Sequence, residues 1–273
     1  MRIWQVVIGV AIVLVVRAAV VHHPHPLRLA TFNIENFPKD ARQVRGALDE
    51  IADADAGFVA VQEISDAAVL RAAARELLGA SWDFVQAEPG ARLDLGVLYD
   101  RARFTVVSRQ VHDETRLGGR NKPVLDVGLR DRDGVVVRVL VVHFACCTPG
   151  RPIRARQHEA LRAIVASVRR EDERVVVLGD FNATEDADRA DLAALARATG
   201  MVWATEALAC SAFWSRADDC PRSRLDHVLT WRAPDHVAAR GACATEGCGA
   251  TRSCPLYARE VSDHCPVVVT VDR

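Results

Sequence analysis

The sequence predicts an α/β fold of two packed β-sheets with helices outside, and three observations lead there. Short apolar segments of strand length recur along the chain, some joined by tight polar turns that favour antiparallel pairing. Others are separated by amphipathic stretches long enough to form crossover helices. No Gly, Pro or Ser tract splits the 273 residues, half of which are apolar, so residues 27–273 read as one unit with a sizeable core.

The elements follow in order. Arg2 precedes an apolar run from Val6 to Val16, followed by Arg17 and the linker His22-His23-Pro24-His25-Pro26. Residues 1–21 therefore resemble an export signal or an uncleaved anchor from Ile3 to Val21, the only membrane contact expected. Residues 22–26 are a linker, although their three histidines could catch a metal adventitiously. Leu27–Phe32 alternates like a strand, and Ala41–Ala54 sets Val44, Leu48 and Ile51 on one helical face. Gly57–Gln62 is a buried strand; Ser65 is the expected cap of a helix that carries Val69, Ala73 and Leu77 and stops at Gly79. Strands are expected at Leu95–Tyr99, Phe104–Val111, Val124–Leu129 and Val135–Phe144, the last two joined by the turn Asp131–Gly134. A helix over Ile153–Val168 leads to strand Val175–Leu178, and a second spans Ala187–Thr199. Strand Leu225–Trp231, a Cys-rich loop and strand Val267–Val271 close the chain.

The formal net charge of -1 carries no basic excess of the kind that marks a nucleic-acid binder on charge alone. Eight cysteines suit an oxidising compartment, and export is the matching localisation, whether secreted, periplasmic or N-terminally anchored. Cys210, Cys220, Cys243, Cys248 and Cys254 could staple long polar loops, with Cys210–Cys220 one candidate pair. Cys146 and Cys147 are adjacent, so separate partners are expected for them. Zinc is disfavoured because no CxxC pair occurs.

Function enters through the polar residues that end apolar strands, where a rigid backbone can aim a side chain. Asn33 follows Leu29–Phe32, Glu63 follows Val59–Gln62, and His143 ends Val139–Val142. Asp180 and Asn182 stand in Gly179-Asp180-Phe181-Asn182, Asp226 in Leu225-Asp226-His227, and Asp263 with His264 in Ser262-Asp263-His264-Cys265-Pro266. Singly, each has a plain reading: Asn33 in an Asx turn, Glu63 as a helix cap, Asp180 or Asp263 in a turn, His143 in the core. Together they form an oxygen-rich set with two histidines, which suits a hard cation.

These segments, with Thr31-Phe32-Asn33 and Val61-Gln62-Glu63, resemble the endonuclease/exonuclease/phosphatase superfamily over roughly Leu27–Val271. The resemblance implies a four-layer sandwich of two central mixed sheets flanked by helices, with the site at one mouth. It also implies a phosphate-ester hydrolase using Mg²⁺, with Mn²⁺ as the alternative. Glu63 would be the principal metal ligand, with Asn33 and Asp263 completing or orienting its shell. His264 would be the catalytic histidine, oriented by Asp226, while Asp180 and Asn182 position water and phosphoryl oxygens. His143 stands where deoxyribonuclease-like and sphingomyelinase-like members have His and repair enzymes have Tyr, which argues against base-excision repair.

Asp94 could orient His143 or belong to a solvated turn, the latter reading being preferred. Arg120 and Arg151 are the candidate phosphate-binding residues, with Lys122, Arg154 and Arg156 nearby; at least one of Arg154 and Arg156 should face water. Export, cysteines and the second histidine favour a deoxyribonuclease-like nuclease acting on nucleic acid, with no obligate protein partner. A sphingomyelinase-like lipid phosphodiesterase or an inositol-phosphate-type phosphatase is the alternative. A catalytically dead binding module would have lost a principal residue, and none of Asn33, Glu63, Asp180, Asn182, Asp226, Asp263 and His264 is missing.

Overall fold

The computed structural model describes residues 26–118, 121–213, 220–249 and 253–272. The N-terminal segment 1–21, most of the linker and Arg120 lie outside the described residues. The chain runs β1 (Leu27–Phe37), α1 (Ala41–Ala54), β2 (Phe58–Ile64), α2 (Ala67–Leu77), β3 (Trp82–Gln86), β4 (Asp94–Asp100), β5 (Phe104–His112), β6 (Val124–Asp131) and β7 (Val136–His143). It continues through α3 (Arg151–Glu171), β8 (Val175–Asp180), α4 (Asp186–Thr199), β9 (Val202–Trp203), β10 (Asp226–Thr230), β11 (His236–Ala239), α5 (Gly241–Thr245), α6 (Leu256–Glu260) and β12 (Val267–Val271). Among the described residues no helix is long and apolar enough to cross a membrane.

Two six-stranded sheets result, ordered β11-β12-β1-β2-β4-β3 and β5-β6-β7-β8-β10-β9. Each holds one parallel pair made by a helical crossover, β1 with β2 through α1 and β7 with β8 through α3; the other pairs are antiparallel. Strand alternation divides the side chains into layers. Leu27, Leu29, Phe58, Ala60, Val97, Val139, Val141, Val176 and Leu178 pack between the sheets. The opposite face of the first sheet, with Phe32, Val59 and Val61, packs against Leu48 and Ile51 of α1 and Leu70 of α2. Leu140, Val142 and Val177 of the second sheet meet Leu161 and Val165 of α3 and Leu192 of α4. The expected four layers are present.

Several local features differ from the sequence reading. Asp66, not Ser65, caps α2, its carboxylate accepting from Ala68 N and Val69 N. The edge strand β3 escaped notice because it buries only Phe84 fully, leaving a weak alternation. Cys146 and Cys147 bond to each other, and Cys210 pairs with Cys248 rather than Cys220. Cys220–Cys254 and Cys243–Cys265 complete the set, so all eight cysteines are oxidised. Pairing follows the path of the chain in space, which cysteine spacing does not encode.

Of Arg154 and Arg156, it is Arg156 that faces water, as expected of at least one of them, while Arg154 turns inward. Arg154 is fully buried, donating Nε and Nη2 to the Asp188 carboxylate at 2.9 and 2.8 Å. It also donates to the Ala145 and Cys147 carbonyls at 2.9 and 2.6 Å, pinning the loop after β7 to α3 and α4. Burial would raise the Asp188 pKa, but the Arg154 bonds and charge outweigh it and hold the carboxylate below its ordinary value of 3.8. This stabilisation is therefore complete above pH 3.8 and lost as pH falls through the lower folded-state pKa. Asp188→Asn strands a buried guanidinium and should cost about 3–5 kcal/mol at pH 7 in urea unfolding. The gap from wild type should narrow below pH 3.8, and equal stabilities at pH 7 would refute the pairing's importance.

Candidate active site

Parity explains how the strands build the site. Inward-facing positions on β1 run Leu27, Leu29 and onward in steps of two to Asn33; on β7 they run Val137, Val139, Val141 to His143; on β8, Val176, Leu178 to Asp180. Asp226 shares the inward face of Val228 on β10. Each polar residue thus stands where its stack of apolar side chains ends, at one mouth between the sheets.

Glu63 is the exception. It follows Gln62, so alternation would turn it outward, but its φ of 64° breaks the strand geometry. The β2–β4 register shifts between Val61 and Ile64, a bulge that re-aims the carboxylate. Asn182, with φ 50°, makes a similar left-handed departure just after Asp180. Such conformations cost energy in non-glycine residues and persist where the surroundings over-determine them. Gly179 completes the turn: at φ 144° an added Cβ would lie 2.0 Å from the Val142 carbonyl oxygen.

The side chains converge. Asn33 Nδ2 donates to Asp180 Oδ2 at 3.1 Å and to Glu63 Oε1 at 3.3 Å, while its Oδ1 accepts from Glu35 N at 3.0 Å. Asn36 N donates to Glu63 Oε2 at 3.0 Å. Asn182 donates its backbone N–H to Asp180 Oδ1 at 2.8 Å and Nδ2 to Asp180 Oδ2 and the Phe144 carbonyl at 3.2 and 3.0 Å. His143 Nε2 lies 3.6 Å from Asp180 Oδ2 and 3.9 Å from Glu63 Oε1. His264 Nδ1 meets Asp226 Oδ2 at 2.8 Å, and its Nε2 faces Asp180 Oδ2 at 3.8 Å and Asp263 Oδ1 at 3.9 Å.

Three supports were not identified from sequence. Ser211 Oγ donates to Asp226 Oδ2 at 2.8 Å and accepts from Leu225 N and Asp226 N, each at 3.0 Å. Ser262 Oγ links the Asn33 carbonyl at 2.7 Å to His264 N at 3.0 Å. Glu35 Oε2 accepts from Asp263 N at 3.1 Å. Ser262 and Glu35 adjoin the recognised segments, whereas nothing in Cys210-Ser211-Ala212 flags Ser211.

The remaining basic and acidic candidates lie elsewhere in the network. Asp94 is buried, accepting from Glu88 N and Leu95 N at 2.8 Å, and so orders its own turn. His143 Nδ1 has no hydrogen-bond partner. Arg151 pairs with Asp191 at 2.8 Å and Asp188 at 3.4 Å, and Lys122 donates to the Arg92 carbonyl at 2.8 Å. Neither cation joins the carboxylate cluster.

Electrostatics show the tension in this arrangement. Burial would raise the Glu63 pKa, yet the charges of His143 and His264 and the bonds from Asn36 and Asn33 bring it below its ordinary value. Asp180 goes the other way, raised by burial against the pull of His264. Burial, reinforced by Glu35 and Glu63, pushes Asp263 up to about 7. Burial alone would lower His264, but Asp226 and Asp180 outweigh it and hold the imidazole well above its ordinary value.

A hard cation fits this donor set. Asp263 Oδ1 is buried without a hydrogen-bond partner, and the Glu63, Asp180 and Asp263 oxygens crowd negative charge that a cation would relieve. Asp180, Asp226 and His264 also offer ligand atoms within 4.8 Å of one another. Within that trio Asp226 already occupies His264 Nδ1, and His264 Nε2 faces Asp180. Asn33 presents its amide N–H rather than its oxygen to the carboxylates, which makes it an organiser of the shell.

The decisive comparison is a match to the model of the Endonuclease/Exonuclease/phosphatase family over residues 30–264. The chain belongs to this family. Like its members it is a hydrolase of phosphate esters, and these enzymes depend on divalent metal. No curated protein sequence matches it. Among solved structures, D. rerio TDP2 with a single-strand DNA product aligns at 18% identity and TM-score 0.70, over 91% of this chain and 99% of that one. Neisseria 3′ phosphatase NExo with a product DNA hairpin aligns at 16% identity and TM-score 0.67, covering 90% and 100%. The human nocturnin catalytic domain with bound sulfate aligns at 15% identity and TM-score 0.64, covering 90% and 93%. At these identities the likeness establishes the fold of this family member and leaves its substrate open.

Ser211→Ala removes one donor to Asp226 and leaves two buried N–H groups without their acceptor. It should lower stability by about 1–3 kcal/mol and turnover by about tenfold, with Ser211→Thr recovering part of both. Thermal unfolding and initial rates check this; unchanged values in Ser211→Ala would exclude the support role.

Proposed function

We propose that this family member is an exported, Mg²⁺-dependent nuclease that hydrolyses phosphodiester bonds by in-line attack of water. The observation carrying the reading is the His264–Asp226 pair set against the Asn33–Glu63–Asp180–Asn182 network in one mouth. Asp226 fixes His264 through Nδ1, leaving Nε2 as the nitrogen directed to the reacting phosphoryl group. Asp180, held by Asn33 and Asn182, is positioned to orient the attacking water and take its proton. His143 Nε2, beside Glu63 and Asp180, is placed to donate to a phosphoryl oxygen. Glu63 and Asp263 would hold the metal, with Mn²⁺ as its alternative, which supplies positive charge to the transferring phosphoryl group when bound.

Export is supported by the apolar N-terminal segment and the four disulfides. Nucleic acid as substrate is supported by the product DNA bound to TDP2 and NExo, which share the fold. Recovered from the extracellular or periplasmic fraction, where this reading puts it, the disulfide-intact protein should cleave DNA or RNA with Mg²⁺ or Mn²⁺ and lose activity in EDTA. Sphingomyelin or inositol phosphates as the preferred substrates, or full activity in EDTA, would overturn the assignment.

His264 and Asp226 should also fail as a unit. His264→Ala and Asp226→Asn should each reduce the rate by about a hundredfold or more, and the double variant by far less than the product of the two losses. Rates of the four forms at saturating metal, with circular dichroism verifying the fold, test this; multiplicative losses would separate the two residues.

A further inference from the structure

The basic residues foreseen near the mouth are engaged elsewhere or lie outside the described residues, but another basic surface adjoins it. A cavity of about 650 Å³ is lined by Thr184, Arg189, Arg222, Ser223 and Arg224 together with small and aliphatic residues, with no acidic residue among the described ones. It touches the candidate site through the chain itself. Ala183 and Thr184 in its wall directly follow Asn182, and Leu225 directly precedes Asp226. Two residues of chain reach about 7 Å at most, so the cavity begins within that span of the mouth. Ala212, bridged to both Ser223 and His264, ties its far wall to the histidine.

The cations in this wall are held to different degrees. Arg224 Nη1 donates to the Glu206 and Leu208 carbonyls while its guanidinium lies 5.5 Å from the Trp203 ring centre. Arg222, with only 5% of its side chain exposed, stacks 3.9 Å from the Phe213 ring centre. It donates Nε and Nη1 to the Gly247 and Cys220 carbonyls at 3.1 and 3.3 Å. Its Nη2 is buried without a hydrogen-bond partner, 3.8 Å from Glu246, and Ser223 Oγ is likewise buried without one. Among the described residues Arg189 has an ion pair with Asp186 alone, whose side chain is 99% exposed, so that solvent weakens it. Arg189 and Arg224 both line the cavity, and burial, then the Arg189 charge, lowers the Arg224 pKa against the pull of Glu206.

We propose that this cavity is a subsite for a second phosphate of the substrate, the one flanking the scissile phosphate in a polynucleotide strand. It rests on the phosphodiesterase reading and narrows it: the preferred substrate carries two neighbouring phosphates, not an isolated one. Planar guanidinium groups suit phosphate oxygens through their forked donors. The mouth, crowded with carboxylates, would by itself repel such a polyanion. Placing the cations to one side supplies attraction without neutralising the groups that face the reacting centre.

The test uses the whole protein with Mg²⁺ at fixed ionic strength and compares thymidine monophosphate with thymidine 3′,5′-bisphosphate as inhibitors of bis(4-nitrophenyl) phosphate hydrolysis. The bisphosphate should inhibit about tenfold or more strongly, and this advantage should collapse in Arg189→Gln and shrink in Arg224→Lys. Calorimetric binding of the same two nucleotides reads the subsite whether or not the diester is turned over. Loss of turnover with the bisphosphate advantage intact would therefore count against the phosphodiesterase reading alone. An inositol bisphosphate that gains affinity where the nucleotide does not would overturn a polynucleotide as the source of the second phosphate. Equal binding of mono- and bisphosphate by the wild-type protein, or an advantage that survives in Arg189→Gln, would overturn the subsite.

Discussion

The 3.1 Å hydrogen bond from Asn33 to Asp180 crosses from one sheet to the other, and the candidate site depends on it. Each sheet alone presents only part of the required chemistry: Asn33, Glu63 and Asp263 adjoin strands of the first, His143, Asp180 and Asp226 belong to the second. The apolar layer between the sheets sets their separation, and the polar residues begin where that layer ends. Asn33 then spans the gap, donating both to Glu63 and to Asp180 and holding apart two carboxylates that would otherwise repel each other.

Crowded buried carboxylates are costly, and the surroundings show how the cost is met. Backbone N–H groups of Asn36 and Asn182 donate to Glu63 and Asp180, while Ser211 donates to Asp226. Two histidines supply the remaining compensation. What is left over, the partnerless Asp263 oxygen and the raised Asp263 pKa, is what a divalent cation would resolve. Left-handed backbone at Glu63 and Asn182 belongs to the same account, since neither carboxylate nor amide reaches the mouth from a regular strand.

Much of this was legible in the sequence because period-two alternation carries both the layer and the face of a residue. The same parity that buries Val139 and Val141 between the sheets delivers His143 to the mouth, so strand position and polar character together indicate a site. Glu63 was legible only through its motif, because a bulge overrides the alternation there. Ser211 and the three arginines of the lateral cavity gave no signal, because their neighbours in space come from distant segments, and a helical position such as Arg189's says nothing of what faces it across the cavity. Short edge strands failed for the opposite reason, having too little buried surface to write a pattern. Disulfide partners were hidden because they depend on the path of loops between residues 210 and 265.

Those three long-range disulfides all fall within that C-terminal stretch, which contains Asp226 and runs to Cys265, the residue after His264. The strands bearing Asn33, Glu63 and Asp180 have no covalent tether of this kind. The two parts of the centre are therefore tethered differently: Asn33, Glu63, His143 and Asp180 by sheet packing alone, Asp226, Asp263 and His264 also by flanking disulfides. Reducing these bonds should loosen the Asp226, Asp263 and His264 side of the mouth while the side built on the sheet strands keeps its packing.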